Sequence, residues 1–173
     1  MAKFAIAILG LAGLFSGASG AAADVKVTWQ EPESYQDIRP SNQSRSSFRE
    51  MVFSDMEAFI NELATALPDD QTFSITVTDM DLAGEVWPAS FLGGVGAADV
   101  RLVKPLYIPR MQFSYALTDA QGDTLQSGDV KLKDMAFMNR GTRINRRTEN
   151  LTYEKAMFRD WFEKTVEQTA AVK

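Results

Sequence analysis

Alternating apolar and polar residues predict the strands of this chain. Apolar side chains occupy every second position in segments 25–29, 73–77 and 111–117, which is the period of a strand with one buried face. A short apolar segment at 100–103 and a less regular one at 125–132 are also predicted as strands. Turn-forming residues separate the last two long segments, so we expect those two to form a hairpin.

Two other segments have the spacing of an amphipathic helix. Ser47 and Glu50 match a capping box, and Pro68 marks the end of the first apolar stripe. The second stripe occupies residues 158–169, with charged residues on its other side. The first stripe consists of Phe48, Val52, Met56, Phe59, Ile60, Leu63 and Leu67.

The last predicted strand contains an irregularity. Leu125 and Val130 have opposite parity, so they cannot share one face of a regular strand. Ser127 and Gly128 lie between them, and we expect a bulge there.

The order of these elements indicates an α+β domain. We predict a mixed, mostly antiparallel sheet of four or five strands with two helices packed on one face. The first strand, the long helix and the second strand are expected to form one right-handed parallel unit.

The first 23 residues have the pattern of a secretory signal. Lys3 is followed by an apolar run over residues 4–15 and then by small residues ending in Ala21-x-Ala23. The apolar run is shorter than the roughly 20 residues that span a bilayer. We therefore predict a cleaved signal peptide at 1–23, a single domain at 24–173, and a periplasmic or secreted location.

Composition excludes several chemistries. The chain contains no histidine and no cysteine, which excludes a Ser-His triad, a thiolate nucleophile and the usual zinc ligands. Its formal net charge is −5, and −6 once Lys3 is removed, so a nucleic-acid partner is not expected. We also expect no cofactor.

Several short motifs, in order along the mature chain, resemble a known family. The chain is similar to the exported bacterial proteins catalogued as domain of unknown function 3016. That resemblance implies a periplasmic protein and supplies no catalytic residues. The motifs are Val27–Trp29, Asp37–Arg39, Thr78–Glu85, Asp99–Arg101, Tyr107–Arg110, Tyr153–Lys155 and Asp160–Phe162.

An acidic cluster follows the second long strand. Asp79 and Asp81 have the same parity as the apolar residues before them, so we expect both on the inward face, with Glu85 on the next loop. Such carboxylates can bind Ca²⁺ or Mg²⁺ or act as an acid/base pair. The alternative is that they cap loop amides or pair with Arg101 or Arg110.

A glycine-rich segment contains two aromatic residues, Trp87 and Phe91. Exposed on a loop, they would bind a partner. The alternative, which we favour, is that both fold back onto the edge of the core.

Four arginines form the third candidate surface, in a segment without apolar periodicity: Arg140, Arg143, Arg146 and Arg147. Arginine suits phosphate and carboxylate groups, so an anionic lipid surface or an acidic envelope protein is a candidate partner. The alternative is a solvated loop that pairs with the protein's own carboxylates.

Together these features favour a non-enzymatic binding domain or an accessory domain of the bacterial envelope. One alternative is a Ca²⁺- or Mg²⁺-dependent enzyme that uses Asp79, Asp81 and Glu85. A second is a structural partner in an envelope complex.

Overall fold

The computed structural model describes residues 22–35, 38–40, 44–92, 99–139 and 150–168. The helices are α1 (Arg45–Ala64) and α2 (Thr152–Phe162), and α2 continues as a π-helical segment at Glu163–Glu167. Within these ranges, neither helix combines the length and the apolar character needed to cross a membrane. The strands are β1 (Asp24–Trp29), β2 (Thr72–Asp81), β3 (Glu85–Trp87), β4 (Val100–Leu102), β5 (Arg110–Thr118) and β6 (Thr124–Lys133).

Four of the strands form a mixed sheet in the order β1-β2-β5-β6. β1 runs parallel to β2, and the other two pairings are antiparallel. The predicted α+β class and the mixed, mostly antiparallel sheet are therefore confirmed. The short strand β4 does not join this sheet but pairs with β3 in a separate two-stranded sheet.

Both helices pack on one face of the main sheet and share one hydrophobic core with it. The apolar faces of the strands and the apolar stripes of the helices meet in this core. For this reason the apolar pattern of the sequence predicted the layers. The largest side chains of the sheet and the helices that are less than 2% exposed are Val52, Met56, Ile60, Phe73, Ile75, Val77, Met80, Met111, Leu117, Phe158 and Phe162.

A bulge near the C-terminal end of β2 changes which of its side chains face the core. The register shifts between Val77 and Asp79, which pair with consecutive residues of β5. Thr78 is the extra residue, so Met80 becomes the buried one at 1% exposure. Asp79 and Asp81 consequently lie on the opposite face, and the prediction that they extend the inward face is wrong.

A second bulge lies in β6, at a different place from the predicted one. Gln126 and Thr124 lie opposite consecutive residues of β5, which leaves Leu125 as the extra residue. Pairing is regular through Ser127 and Gly128, so the prediction of a bulge there is wrong.

The helix α1 is capped by Ser44 rather than by Ser47. The Ser44 hydroxyl accepts a hydrogen bond from the backbone N–H of Ser47 at 3.2 Å, and α1 begins at the next residue after Ser44. The predicted capping box of Ser47 and Glu50 is therefore wrong. At the other end α1 stops at Ala64, and Leu67 is buried in the turn that follows.

Phe137, in the segment after β6, packs against the start of α2. Its ring is fully buried and lies edge-on to Tyr153, with 4.8 Å between the ring centroids. Asp134 ends β6 by accepting a hydrogen bond from the backbone N–H of Ala136 at 3.0 Å. The ring contact between Phe137 and Tyr153 holds the first turn of α2 against the segment that follows β6.

Candidate functional site

A pocket of about 410 Å³ lies between the N-terminal halves of α1 and α2, the β2–β3 loop and the end of β4. We call it the helix-end pocket. Its volume falls within the range of about 300–1,000 Å³ that is usual for small-molecule sites. Its lining includes four apolar and three charged side chains: Phe48, Met51, Leu82, Val103, Arg39, Arg101 and Glu154.

The carboxyl group of Glu154 lies in the wall of the helix-end pocket and is almost completely buried. Glu154 is 3% exposed and accepts a hydrogen bond from the backbone N–H of Ala83 at 2.6 Å. Burial raises the pKa of Glu154, while its hydrogen bonds from backbone N–H groups and the charge of Arg101 oppose the shift. The bond links the first turn of α2 to the loop after β2.

Arg101 links three segments of the chain around the same pocket. Its guanidinium donates hydrogen bonds to the carbonyl oxygens of Ala83 at 3.4 Å, Gly84 at 3.1 Å and Arg39 at 3.0 Å. Gly84 has a φ of 88°, and a Cβ added there would lie 2.8 Å from the carbonyl oxygen of Leu102. Only glycine allows this close approach of the loop to β4.

A second pocket, of about 390 Å³, lies at the N-terminal end of α1. We call it the arginine pocket, because Arg39, Arg45 and Arg49 line it. Glu33 also lines it and forms a bidentate ion pair with Arg49, with both N–O distances at 2.7 Å. Arg39 lines both pockets.

The segment before α1 is anchored to the core, which fixes Arg39. The Tyr35 hydroxyl donates a buried hydrogen bond to the carbonyl oxygen of Val77 at 2.7 Å. Burial, assisted by the charge of Asp79, raises the pKa of Tyr35 to about 12, so the hydroxyl keeps its proton. Ile38 is 5% exposed in the core, and Arg39 follows it directly.

The predicted acidic cluster is divided by the structure. Asp79 accepts a hydrogen bond from Gln112 at 3.2 Å, and Asp81 pairs with Arg110 at 3.1 Å. Asp81 and Glu85 line a separate pocket of about 180 Å³. In the part of the chain that the structure describes, no three acidic side chains are grouped to hold a metal ion. The ion pair with Arg110 agrees with the structural interpretation of Asp81.

The two aromatic residues of the glycine-rich segment have different environments. Trp87 is half-buried in β3, where Nε1 donates to Glu85 at 3.3 Å and the Lys104 ammonium lies 4.6 Å from the ring centroid. Phe91 is 76% exposed, so the expectation that both rings fold back onto the core is wrong for Phe91.

Two other predictions fall on parts of the chain that the structure does not describe. The predicted signal peptide lies outside the described residues apart from positions 22 and 23. The four arginines of the candidate surface for an anionic partner also lie outside the described residues. They are Arg140, Arg143, Arg146 and Arg147.

Sequence reasoning did not select the charged residues of the helix-end pocket. Arg39, Arg101 and Glu154 lie far apart in the chain, and each falls in one of the short motifs that resemble the known family. The structure brings these motifs together around one pocket. The signal that could have indicated the site was therefore the presence, in these motifs, of charged residues that do not belong to the apolar face of a strand or helix.

Comparison with known proteins gives a family and no further relative. No curated protein and no solved structure shows a significant match. The family model described as Protein of unknown function (DUF3016) matches residues 23–164. This match covers most of the chain and agrees with the resemblance carried by the motifs. The chain belongs to the DUF3016 family.

Proposed function

We propose that this protein is an exported, periplasmic binding domain that holds a small organic molecule in the helix-end pocket. The observation that carries the proposal is the pocket itself. A cavity of about 410 Å³ combines apolar walls with a few fixed polar groups, which is the usual composition of a small-molecule site.

The proposed export is supported by the N-terminal pattern. A single lysine, a short apolar run and Ala21-x-Ala23 are typical of a signal that is removed after translocation. The family match begins at residue 23 and β1 begins at Asp24. The family match and the first described strand thus both start next to the predicted cleavage position after Ala23.

The proposed binding is supported by the way in which the walls of the pocket are held. The buried bond from the Ala83 N–H to Glu154 and the three bonds from Arg101 join four segments of the chain. A pocket whose walls are fixed in advance loses less conformational entropy when a ligand binds. We therefore assign Glu154 and Arg101 a positioning role.

The test uses a neutral fluorescent probe, N-phenyl-1-naphthylamine, whose emission rises in apolar surroundings. Val103→Trp should obstruct the helix-end pocket, because Val103 lines it and is 38% exposed. The added indole would occupy part of the cavity, so we expect the probe to bind about tenfold more weakly or worse, a change of about 1.4 kcal/mol or more.

The matched control is Val100→Trp. Val100 lies in β4, is 42% exposed and is not part of the pocket lining. It should bind the probe as the unmodified protein does. Equal probe affinity in both tryptophan variants, or no binding by the unmodified protein, would show that the pocket is not a binding site.

A further inference from the structure

We propose that two copies of this chain associate through the outer edge of β6, with the two β6 strands antiparallel and Asp129 of each copy opposite Lys131 of the other. The association joins the two four-stranded sheets into one continuous sheet. Among the described residues, none of β6 lines the helix-end pocket, so this inference does not depend on the proposed function.

The first argument is that the outer edge of β6 is accessible. β6 is the last strand of the sheet, and in the part of the chain that the structure describes no strand pairs with its outer edge. Gly128, in the middle of β6, is exposed. Because glycine has no side chain, the exposed surface there is the backbone itself. An accessible row of backbone N–H and C=O groups is a template for pairing with another strand.

The second argument is the direction of the backbone groups of β6. Directly after Lys133, the last paired residue of the strand, the Asp134 N–H donates a hydrogen bond to the carbonyl oxygen of Pro109 at 3.2 Å. Bonded and non-bonded pairs alternate along an antiparallel ladder, and the pairing with β5 is regular from Lys133 back to Gln126. The odd-numbered residues of 127–133 therefore direct their N–H and C=O groups to the outer edge.

The third argument is the match between the charges of two β6 strands. A two-fold axis at Val130 places the exposed Asp129 of each copy opposite the exposed Lys131 of the other. The same arrangement places Ser127 opposite Lys133. The backbone groups of all these residues point outward, so each pair can exchange two hydrogen bonds. Opposite charges across a ladder are stabilising and like charges are destabilising. A register centred on Asp129 or on Lys131 would oppose two like charges, so the charges favour the register centred on Val130.

The fourth argument is the apolar contact on the face of the joined strands that carries the helices. In the same register the two Val130 side chains lie opposite each other, and Leu132 of each copy lies opposite Gly128 of the other. Val130 and Leu132 are only half-buried in the single chain, where they pack against the core. Non-bonded pairs bring side chains closest together, so pairing buries more of both. Gly128 leaves room for this contact, since a Cβ there would already lie 3.5 Å from the Tyr115 ring.

Sedimentation equilibrium of a protein comprising residues 24–173 tests the inference with two charge variants. The unmodified protein should show a monomer–dimer equilibrium with a dissociation constant of about 100 μM or tighter. Asp129→Lys opposes two lysines and Lys131→Asp opposes two aspartates, so either variant alone should raise the dissociation constant by about tenfold or more. An equimolar mixture of the two variants should form dimers again, because every charged pair across the interface then has opposite signs.

The matched controls make the same two charge changes in β1, the strand at the other edge of the sheet. Asp24 and Lys26 are exposed there and form an ion pair with each other at 3.5 Å. Asp24→Lys and Lys26→Asp change the net charge as the β6 variants do. Both should leave the dissociation constant of the dimer unchanged, because β1 lies away from the proposed interface.

Three results would overturn the inference. The first is an unmodified protein that stays monomeric up to about 100 μM. The second is a dimer that the β6 variants do not weaken, or that the β1 controls weaken equally. The third is a mixture of the two β6 variants that stays as monomeric as each variant alone. Dimers that form again in the mixture support the inference, and they also show that both variants are folded.

Discussion

Replacing Glu154 by leucine should destabilise the fold through one buried amide. In the unmodified protein the Ala83 N–H donates to the Glu154 carboxyl at 2.6 Å, across 71 residues of sequence, and both residues are buried. Leucine removes the acceptor, and a buried N–H without a partner costs about 1–3 kcal/mol. Glutamine keeps a carbonyl oxygen in place and is the matched control. The leucine variant should therefore be less stable than the glutamine variant by about 1–3 kcal/mol.

The difference in stability between the unmodified protein and the Glu154→Gln variant should depend on pH, and the direction of that dependence is fixed. Because burial raises the pKa of Glu154, the folded chain retains this proton at pH values where the unfolded chain has lost it. Between the two pKa values the folded state binds more protons, so the free energy of unfolding falls as pH rises. This contribution is fully present below the unfolded pKa and is lost as pH rises through the folded pKa. Glutamine does not titrate and lacks this loss.

Urea denaturation from about pH 4 to about pH 8, which begins near the ordinary glutamate pKa, measures both effects. The stability of the unmodified protein relative to the Glu154→Gln variant should decline over this range. In thermal melts, each 1 kcal/mol corresponds to about 2–4 °C for a domain of this size. Equal stability of the leucine and glutamine variants would refute the role of the Ala83 amide. A difference between wild type and glutamine that does not change with pH would refute the raised pKa.

Three further predictions concern the fold and its export. Ile75→Asp should lower the free energy of unfolding by several kcal/mol in chemical denaturation, since Ile75 is 1% exposed. Thr76→Asp, on the other face, should change it by about 0.5 kcal/mol or less. Equal losses would show that the faces of β2 are misassigned. Tyr35→Phe should cost about 0.5–1.5 kcal/mol, because it removes the buried bond to the Val77 carbonyl; an unchanged urea midpoint would contradict that. Mass spectrometry of the envelope fraction should find a chain that begins at or within a residue or two of Asp24, and an intact N-terminal methionine there would overturn the export proposal.

The layers of the fold followed from the apolar pattern because burial repeats with the period of each element. Phe73, Ile75 and Val77 alternate with polar residues, and each is buried against the helices. The pattern failed where the backbone adds a residue. A bulge changes which positions face the core, and no fixed residue type marks it in the sequence. Extending the two-residue period beyond Thr78 therefore placed Asp79 on the wrong face.

The start of α1 shows a different reason for failure. Ser44 and Ser47 are both suitable caps, and the polar segment before them has no apolar periodicity that would set the boundary. The structure selects Ser44, whose hydroxyl bonds to the Ser47 N–H. Propensity alone does not distinguish two serines three residues apart.

The candidate site was not predictable from spacing, since its charged residues come from distant segments of the chain. Arg39, Arg101 and Glu154 share no local pattern, and the parallel β1–β2 pairing together with the β3–β4 sheet brings their segments together. By contrast, the clusters visible in the sequence were local. The structure places Asp79 and Asp81 on the exposed face of the sheet, with Gln112 and Arg110 as partners.

The most direct test of the binding pocket is a map of the amides that respond to a neutral ligand. Nitrogen-labelled protein comprising residues 24–173 would be titrated with octanol and followed by the chemical shifts of its backbone amides. We expect the largest changes at Ala83, Arg101 and Glu154, which line the helix-end pocket, and little change at Ser114 or Lys131 in β5 and β6. Changes that spread evenly over the protein, or that concentrate on Ser114 and Lys131, would contradict the account.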